Sequence, residues 1–140
     1  MHTGGHPSQP LAQLRLFDEF VPGAVLGRHE EEISAELLRP WQSLFPGMPI
    51  EAPLPPGVSV ALVVRAYMAV MQERPFGNVH TRQRMQFHRG LVPGERVATE
   101  VSCTGKAVRR DWRWVYFRTV TTGTTGDLIC VGEMSMLWTN

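Results

Sequence analysis

The longest apolar stretch of the chain runs from residue 58 to about residue 73 and is apolar almost all the way round a helical wheel. A helix that is hydrophobic on every side is buried in a protein core or spans a membrane. This stretch is too short for a comfortable span, and Arg65 lies near its middle. The pattern therefore predicts a buried core helix, which the turn-forming residues 75–78 would end.

Downstream of this helix, apolar and polar positions alternate with a period of two, which is the pattern of half-buried strands. Short turn-forming runs such as Val92-Pro93-Gly94-Glu95 separate the alternating stretches. Four successive strands with short turns between them predict an antiparallel meander. The expected strands cover residues 79–89, 96–108, 112–122 and 128–138.

Upstream of the helix the pattern is mixed. Residues 14–20 favour a short strand or a turn, and residues 25–33 a strand. Ser34 is a plausible N-cap for a short helix that would run to about Leu44. A proline-rich loop follows. Long strands that enclose one helix predict an α+β fold, in which a curved antiparallel sheet wraps around a central buried helix.

Composition indicates one globular domain preceded by a tail. The chain has 140 residues, of which 43% are hydrophobic and 19% charged, as in soluble globular proteins. Residues 1–13 are rich in Gly, Pro, Ser and Gln, which predicts a flexible tail before a single domain over residues 14–140. The net charge of +1 creates no field that recruits nucleic acid or an anionic membrane, so we expect neither as a partner.

The two cysteines do not lie in a metal-binding sequence pattern. Cys103 and Cys130 have no CxxC spacing, and no nearby histidine completes a zinc pattern, so we expect no metal. The polar, turn-rich start of the chain does not read as a secretory signal. We therefore expect reduced thiols and a cytoplasmic protein. A disulfide between the two cysteines is the alternative if their strands are neighbours.

Three stretches of sequence, in this order, carry a resemblance to a known family. Residues 21–38 resemble its opening strand and first helix, residues 56–61 the start of its central helix, and residues 87–95 its turn into the meander. The family is that of the MaoC-like dehydratases and hydratases, and the resemblance covers roughly residues 16–138. The resemblance implies a hot-dog fold and a dimer whose pocket lies between the subunits. It also implies that the ligand is an acyl thioester of coenzyme A or of a carrier protein, and that no further cofactor is needed.

The family's catalytic motif, Gly-Asp-x-Asn-Pro-Ile-His, is not retained. Aligned on Met48-Pro49-Ile50, this chain has Pro46 where the family has its aspartate and Glu51 where it has its histidine. Proline offers neither an acid nor a base. The resemblance therefore does not carry the family's activity over to this chain, and the sequence leaves open whether it is a lyase.

Three residues near the start of the central helix are candidates to replace the missing catalytic groups. Gly57 and Val58 open that helix, whose free N–H groups and positive dipole end would suit a thioester oxygen. The alternative is a plain helix start after two prolines. Glu51 is the best-placed substitute acid or base, since a carboxylate against apolar walls has a raised pKa. Its alternative is a solvent-facing loop position.

Two further candidates lie on the helix and the first downstream strand. His80 is a candidate catalytic residue, and even spacing would place it on one strand face with Arg82, Arg84 and His88. A hydrogen-bonded structural histidine is the alternative. Arg65 on the buried helix needs a carboxylate, supplied by an ion pair within the protein, by a subunit contact or by the substrate.

An aromatic strand, Trp112, Trp114 and Tyr116 with Arg118, has the pattern of a stacking platform for single-stranded nucleic acid. The near-neutral net charge counts against that function. We favour the interpretation that this face packs on a partner subunit or under the N-terminal segment.

Three functions follow from these residues and the resemblance. The chain is an acyl-thioester-binding protein related to enoyl-CoA hydratases and 3-hydroxyacyl dehydratases, with a replaced acid/base set. Alternatively, it is a catalytically silent subunit that pairs with an active homologue, or a hot-dog thioesterase that uses Glu51 to activate water. We expect a homodimer or a heteromer with a hot-dog homologue. Acyl chain length and the choice between coenzyme A and carrier protein are not encoded in these patterns.

Overall fold

A computed structural model describes residues 15–139, so the tail expected over residues 1–13 lies outside the described residues. A 3-10 helix, Phe17–Glu19, comes first, where the sequence favoured a strand or a turn. Two helices and five strands follow: β1 Val25–Glu32, α1 Ala35–Leu44, α2 Pro56–Val70, β2 Val79–Phe87, β3 Arg96–Arg109, β4 Trp112–Thr122 and β5 Leu128–Trp138.

The five strands form one antiparallel sheet in the order β1-β3-β4-β5-β2. The expected four-stranded meander is wrong, because β2 pairs with β5 at the far edge and only β3, β4 and β5 form a meander. The turn over residues 92–95 exists but does not close a hairpin. Instead Gly94 N–H donates to the carbonyl of Ile33 (2.7 Å), and Ile33 N–H to that of Glu95 (2.8 Å), so β3 starts beside β1.

The central helix packs one face against the inner face of this sheet, while Arg65 and Met68 on its other face are exposed. Leu62, Val63 and Ala66 of α2 are buried, and the ring of Tyr67 meets Phe117 of β4 edge-on with 5.1 Å between ring centroids. Full burial of one such aliphatic side chain stabilises a fold by about 1.5–3 kcal/mol. The α+β architecture, a sheet around a buried helix, is therefore confirmed.

The short helix α1 begins as the sequence predicts. The Ser34 hydroxyl accepts a hydrogen bond from the Leu37 N–H (3.1 Å), which satisfies one of the free amides of the first turn. Leu38 is buried in the core, while Trp41 at the other end of α1 reaches the start of α2. The end of α1 thus lies beside the start of α2.

Both cysteines are free and buried in the sheet. Cys103 lies on β3 and Cys130 on β5, and β4 runs between them, so their strands are not neighbours. Burial raises the pKa of each thiol above its usual range. Separately, none of the helices within residues 15–139 is long and apolar enough to cross a membrane.

Candidate functional site

An apolar groove lies at the amino end of α2, between the end of α1 and the loop that joins the two helices. Its volume is about 560 Å³. Its wall contains no acidic, basic or histidine side chain, which makes it suited to a hydrocarbon group. The residues that line it are Trp41, Leu44, Phe45, Pro46, Gly47, Met48 and Pro55.

The start of α2 borders this groove. Pro56 opens the helix, where its missing N–H costs nothing, and Pro55 at the N-cap provides no side-chain cap. Gly57 follows, and a Cβ atom there would lie 3.7 Å from the indole of Trp41. Within residues 15–139, the Gly57 N–H donates no hydrogen bond, so an amide at the positive end of the helix dipole is left free beside the groove.

Val58, the second residue expected at this helix start, has a different role. Its side chain is buried in the core, and its N–H already donates to the carbonyl of Pro55 (3.0 Å). Val58 therefore contributes packing, and Gly57 is the residue whose amide remains available.

The two positions that correspond to the catalytic motif lie apart. Pro46 lies in the groove wall, whereas Glu51 is exposed in the loop and is not among the lining residues. The Glu51 carboxylate therefore does not contact the apolar wall that the sequence analysis expected to surround it. The groove has a binding surface without an acid or base of its own.

His80 lies at the opposite end of α2. It lines a separate small cavity of about 170 Å³, together with Tyr67, Arg74 and Asn78 among others. The fifteen residues of α2 span about 22 Å. Because Glu51 precedes the amino end of that helix and His80 lies near its carboxyl end, one chain does not bring the two candidates together.

A β-bulge separates His80 from the neighbouring arginines. His80 pairs with Met136, but Arg82 pairs with Ser135, so Thr81 is an extra residue in the strand. The expectation that His80, Arg82 and Arg84 share one face is wrong, because the bulge turns the arginines to the outer face of the sheet. His88, the other member of that expected set, lies beyond the end of β2.

Arg65 forms an ion pair with a carboxylate of the same chain. Its guanidinium donates to both oxygens of Glu31, with Nη2–Oε2 at 2.5 Å and Nε–Oε1 at 3.3 Å. This hydrogen bonding raises the pKa of Arg65 above its usual range, with burial opposing it. The ion pair joins α2 to β1, which supports the structural role among the alternatives left open by the sequence.

Sequence reasoning missed the aromatic wall of the groove. Trp41 and Phe45 stack with 6.0 Å between ring centroids, and both rings belong to residues that line the groove. The signal that could have found them is the density of aromatic residues and prolines on both sides of the motif position. No cluster of three or more histidine, cysteine or acidic side chains that could hold a metal occurs within residues 15–139.

Comparison with solved structures identifies the architecture. An R-hydratase, PhaJ1 of Pseudomonas aeruginosa, superposes with a TM-score of 0.73 at 16% identity, covering 88% of this chain and 84% of that one. The chain has the hot-dog fold. The expected hot-dog fold is thereby confirmed.

Two further hot-dog structures are similar over most of their length. A MaoC-like dehydratase of Rhodospirillum rubrum gives a TM-score of 0.74 at 10% identity, covering 90% of this chain and 98% of that one. The 3R-hydroxyacyl-ACP dehydratase complex HadBC of Mycobacterium tuberculosis gives 0.68 at 15% identity, with 84% and 96% covered. No family model matches the sequence, and no curated protein matches it.

Proposed function

We propose that this chain binds the acyl part of a thioester of coenzyme A or of an acyl carrier protein, as one subunit of a hot-dog hydratase or dehydratase. The observation that carries the proposal is the apolar groove beside the free Gly57 amide at the start of α2. An apolar groove next to a preorganised N–H donor suits an acyl chain and its thioester carbonyl. The hot-dog hydratases and dehydratases of similar structure support this ligand class.

In this proposal the Gly57 N–H donates to the thioester carbonyl oxygen. The positive end of the α2 dipole adds to that interaction, since negative charge on the oxygen is favoured at a helix amino terminus. Trp41 and Met48 contact the acyl chain in the groove. The chain's own contribution is thus orientation of the substrate and polarisation of its carbonyl.

Proton transfer in this proposal belongs to another subunit. Hydration adds hydroxide to the β-carbon and a proton to the α-carbon, so a base must take a proton from water and an acid must deliver one. The groove wall of this chain has no titratable side chain, and Pro46 occupies the aspartate position. We therefore propose a catalytically silent subunit, paired with a hot-dog chain that supplies both groups. No electron transfer occurs, so no redox cofactor is required.

The binding half of the proposal is tested by calorimetric titration of the full chain with octanoyl-CoA. Leu44 lines the groove and is largely exposed, so Leu44→Glu adds a charge to the wall without disturbing the core. We expect at least a tenfold weaker Kd. Val108→Glu, at an exposed apolar position on β3, is the matched control and leaves the Kd within twofold. Equal affinity in both variants would exclude this groove as the acyl site.

The catalytic half is tested with the isolated chain. We expect no loss of enoyl absorbance from an enoyl-CoA and no release of free thiol from a saturated acyl-CoA. Either activity in the purified chain, above that of a Gly57→Pro variant that lacks the proposed donor, would contradict a silent subunit. Loss of absorbance would favour a hydratase, and thiol release would favour a thioesterase.

A further inference from the structure

The outer face of the sheet, away from α2, has a pocket that the proposed function does not use. Val115 and Phe117 of β4 are buried on the inner face, so Trp114 and Tyr116, which alternate with them, point to the outer face. The pocket beside them has a volume of about 300 Å³. The residues that line it come from β2, β3, β4 and β5 and are Thr81, Arg82, Arg109, Trp114, Tyr116 and Ser135.

Two aromatic rings form part of the pocket wall. The ring planes of Trp114 and Tyr116 differ by 10°, with 6.4 Å between the centroids, so both rings present flat faces in the same orientation. Their neighbours across the strand pair on β3 are Ala107 and Gly105, and Ser135 lies opposite Tyr116 on β5. Because these neighbours are small, they leave ring surface open to the pocket. An open aromatic face suits stacking with a planar ring of a ligand.

Two guanidinium groups reach the same pocket from opposite sides of β4. Arg82 of β2 lies beyond Ser135 on one side, and Arg109 of β3 lies on the other side, opposite Trp112. Neither arginine has an ion-pair partner within residues 15–139. An arginine side chain stays charged at every pH at which a protein is folded. The pocket therefore combines two unneutralised positive charges with flat aromatic surface.

The charge of the pocket favours a phosphate that is attached to a planar ring. A phosphate monoester carries a charge of about −1.5 to −2 at pH 7 and three acceptor oxygens, so it matches two arginines. A carboxylate carries a single charge and would leave one guanidinium unneutralised. Arginine also binds phosphate through two parallel N–H donors, and the hydroxyl of Ser135 adds a further donor in the pocket wall.

A single nucleotide fits this face better than an extended strand of nucleic acid. Proteins that bind single strands use a positively charged groove that follows the backbone over several nucleotides. On this face Glu133 lies between Arg84 and Arg118 in neighbouring strands, and Glu100 follows on β3, so acidic residues interrupt the positive charge beyond the pocket. The pocket volume is also at the lower end of the range for small-molecule sites, about 300–1,000 Å³.

The described part of the N-terminal segment does not cover these rings. The sequence analysis favoured packing of the aromatic strand under that segment or on a partner subunit. Residues 15–20 instead pack on the inner face, where the ring of Phe20 meets Phe117 and Trp138 at 5.6 and 4.9 Å between centroids. Lys106, also on the inner side, donates to the carbonyl of Phe17 (3.2 Å).

We propose that this outer pocket binds a mononucleotide, whose base stacks on Trp114 and Tyr116 and whose phosphate is held by Arg82 and Arg109. The site does not depend on the proposed function, because α2 and the acyl groove at its amino end lie on the inner side of the sheet. The chain thus has a second ligand site, specific for a base that carries a phosphate.

Calorimetric titration of the full chain with AMP tests the proposal. Adenosine provides the ring without the charge, and inorganic phosphate the charge without the ring, so we expect AMP to bind at least tenfold more tightly than either. Arg82→Gln and Arg109→Gln should each weaken AMP binding at least fivefold. Arg28→Gln, at an exposed arginine of β1 that does not line the pocket, is the matched control and keeps the Kd within twofold.

Fluorescence tests the stacking separately from the charge. A base stacked on Trp114 quenches its emission, so AMP should lower the fluorescence of the wild type, and Trp114→Phe should remove most of that decrease. Trp41→Phe, in the acyl groove, should keep it. The octanoyl thioester of pantetheine, which has no nucleotide, should leave the Kd for AMP within twofold, and displacement of AMP by it would place the nucleotide in the acyl groove and overturn the proposal.

Four other results would also overturn the proposal. The first is that AMP does not bind, and the second is that it binds no better than adenosine or inorganic phosphate. The third is that neither arginine variant changes the Kd. The fourth is that a single-stranded oligonucleotide binds more tightly than AMP with a steeper dependence on salt, which would assign the face to nucleic acid instead. Loss of AMP binding with intact octanoyl-CoA binding separates failure of this site from failure of the acyl groove.

Discussion

Pro46 decides the chemistry of the groove at the scale of single residues. Its side chain lies in the groove wall at the position where the MaoC-like motif has an aspartate. Glu51, at the position of the motif's histidine, is exposed in the loop instead. An exposed carboxylate outside the wall has neither the apolar surroundings nor the contact that acid–base catalysis in the groove requires.

Glu51→Gln should therefore change little. We expect the Kd for octanoyl-CoA to stay within twofold and the free energy of unfolding to stay within about 0.5 kcal/mol, as for other exposed substitutions. Calorimetric titration and urea unfolding measure the two quantities. A tenfold loss of affinity would place Glu51 in the binding site and reopen its assignment as the substitute base.

Arg89 is the residue whose ion pairs matter most for pH dependence. It donates to both oxygens of Glu95 (2.8 and 2.9 Å) and to Asp127 (2.7 Å). These hydrogen bonds hold the pKa values of both carboxyl groups below their usual range. A lowered carboxyl pKa stabilises the fold above the unfolded-state value, and this contribution is lost as the pH falls through the lowered value.

We expect the free energy of unfolding of the wild type to decrease as the pH falls below about 5. The Arg89→Ala variant should lose less stability over the same pH range, because its carboxyl groups no longer have the lowered pKa values. At pH 7 the variant should be less stable by about 1–3 kcal/mol, the scale of hydrogen bonds to charged groups. Urea unfolding at a series of pH values measures both effects. Arg118→Ala, which removes an arginine with no ion pair within residues 15–139, is the control. Parallel pH profiles for the three proteins would contradict this role.

Local rules predict some residues well and others not at all. The Ser34 cap follows from its position before a helix. An ion-pair partner for Arg65 is present as expected, but the Arg65 side chain is 58% exposed, so the cost of a buried charge is not what requires it. The separation of His80 from Arg82 does not follow from the alternation of residues. A single bulge at Thr81 reverses the faces, and no apolar residue marks it.

At the scale of elements, periodicity predicts the central helix and every strand of the sheet to within a few residues, but not the order of the strands. The apolar run that becomes α2 buries one face in the core, through Leu62, Val63 and Ala66, and leaves Met68 on the other face 46% exposed. The place of β2 depends on its antiparallel pairing with the distant strand β5, in which Val79 lies opposite Leu137 and Phe87 opposite Cys130. Such contacts leave no periodic trace in the sequence.

Gly90 lies between β2 and β3, in a segment that contacts the loop before α2 and whose Leu91 carbonyl accepts a hydrogen bond from Leu54 N–H (2.9 Å). A Cβ at Gly90 would lie 2.5 Å from Cβ of Pro53 and 3.1 Å from the backbone oxygen of Leu54, so one of the two segments must move. We expect Gly90→Ala to lower the free energy of unfolding by about 1–3 kcal/mol, the usual cost of overpacking. Gly47→Ala, where a Cβ meets nothing within 4 Å, is the control. Equal stability of the two variants in urea would contradict the close contact.

At the scale of the whole molecule, the apolar groove and the cavity lined by His80 are separate features of one fold. The groove lies at the amino end of α2, and the cavity beside the β2 edge lies near its carboxyl end. The resemblance in sequence predicts the fold, since the apolar pattern and turn positions determine it. It does not predict the groove, because residues 41–48 and Pro55 enclose a cavity only once the end of α1 lies beside the start of α2.

The central claim is that the groove binds an acyl chain, and the dependence of affinity on chain length tests it most directly. The full chain is titrated calorimetrically with free coenzyme A and with its butyryl, hexanoyl and octanoyl thioesters. Each buried CH₂ contributes about 0.8 kcal/mol, so we expect the Kd to fall by up to about fourfold per methylene until the groove is filled. Identical Kd values for free coenzyme A and all three thioesters would contradict the account.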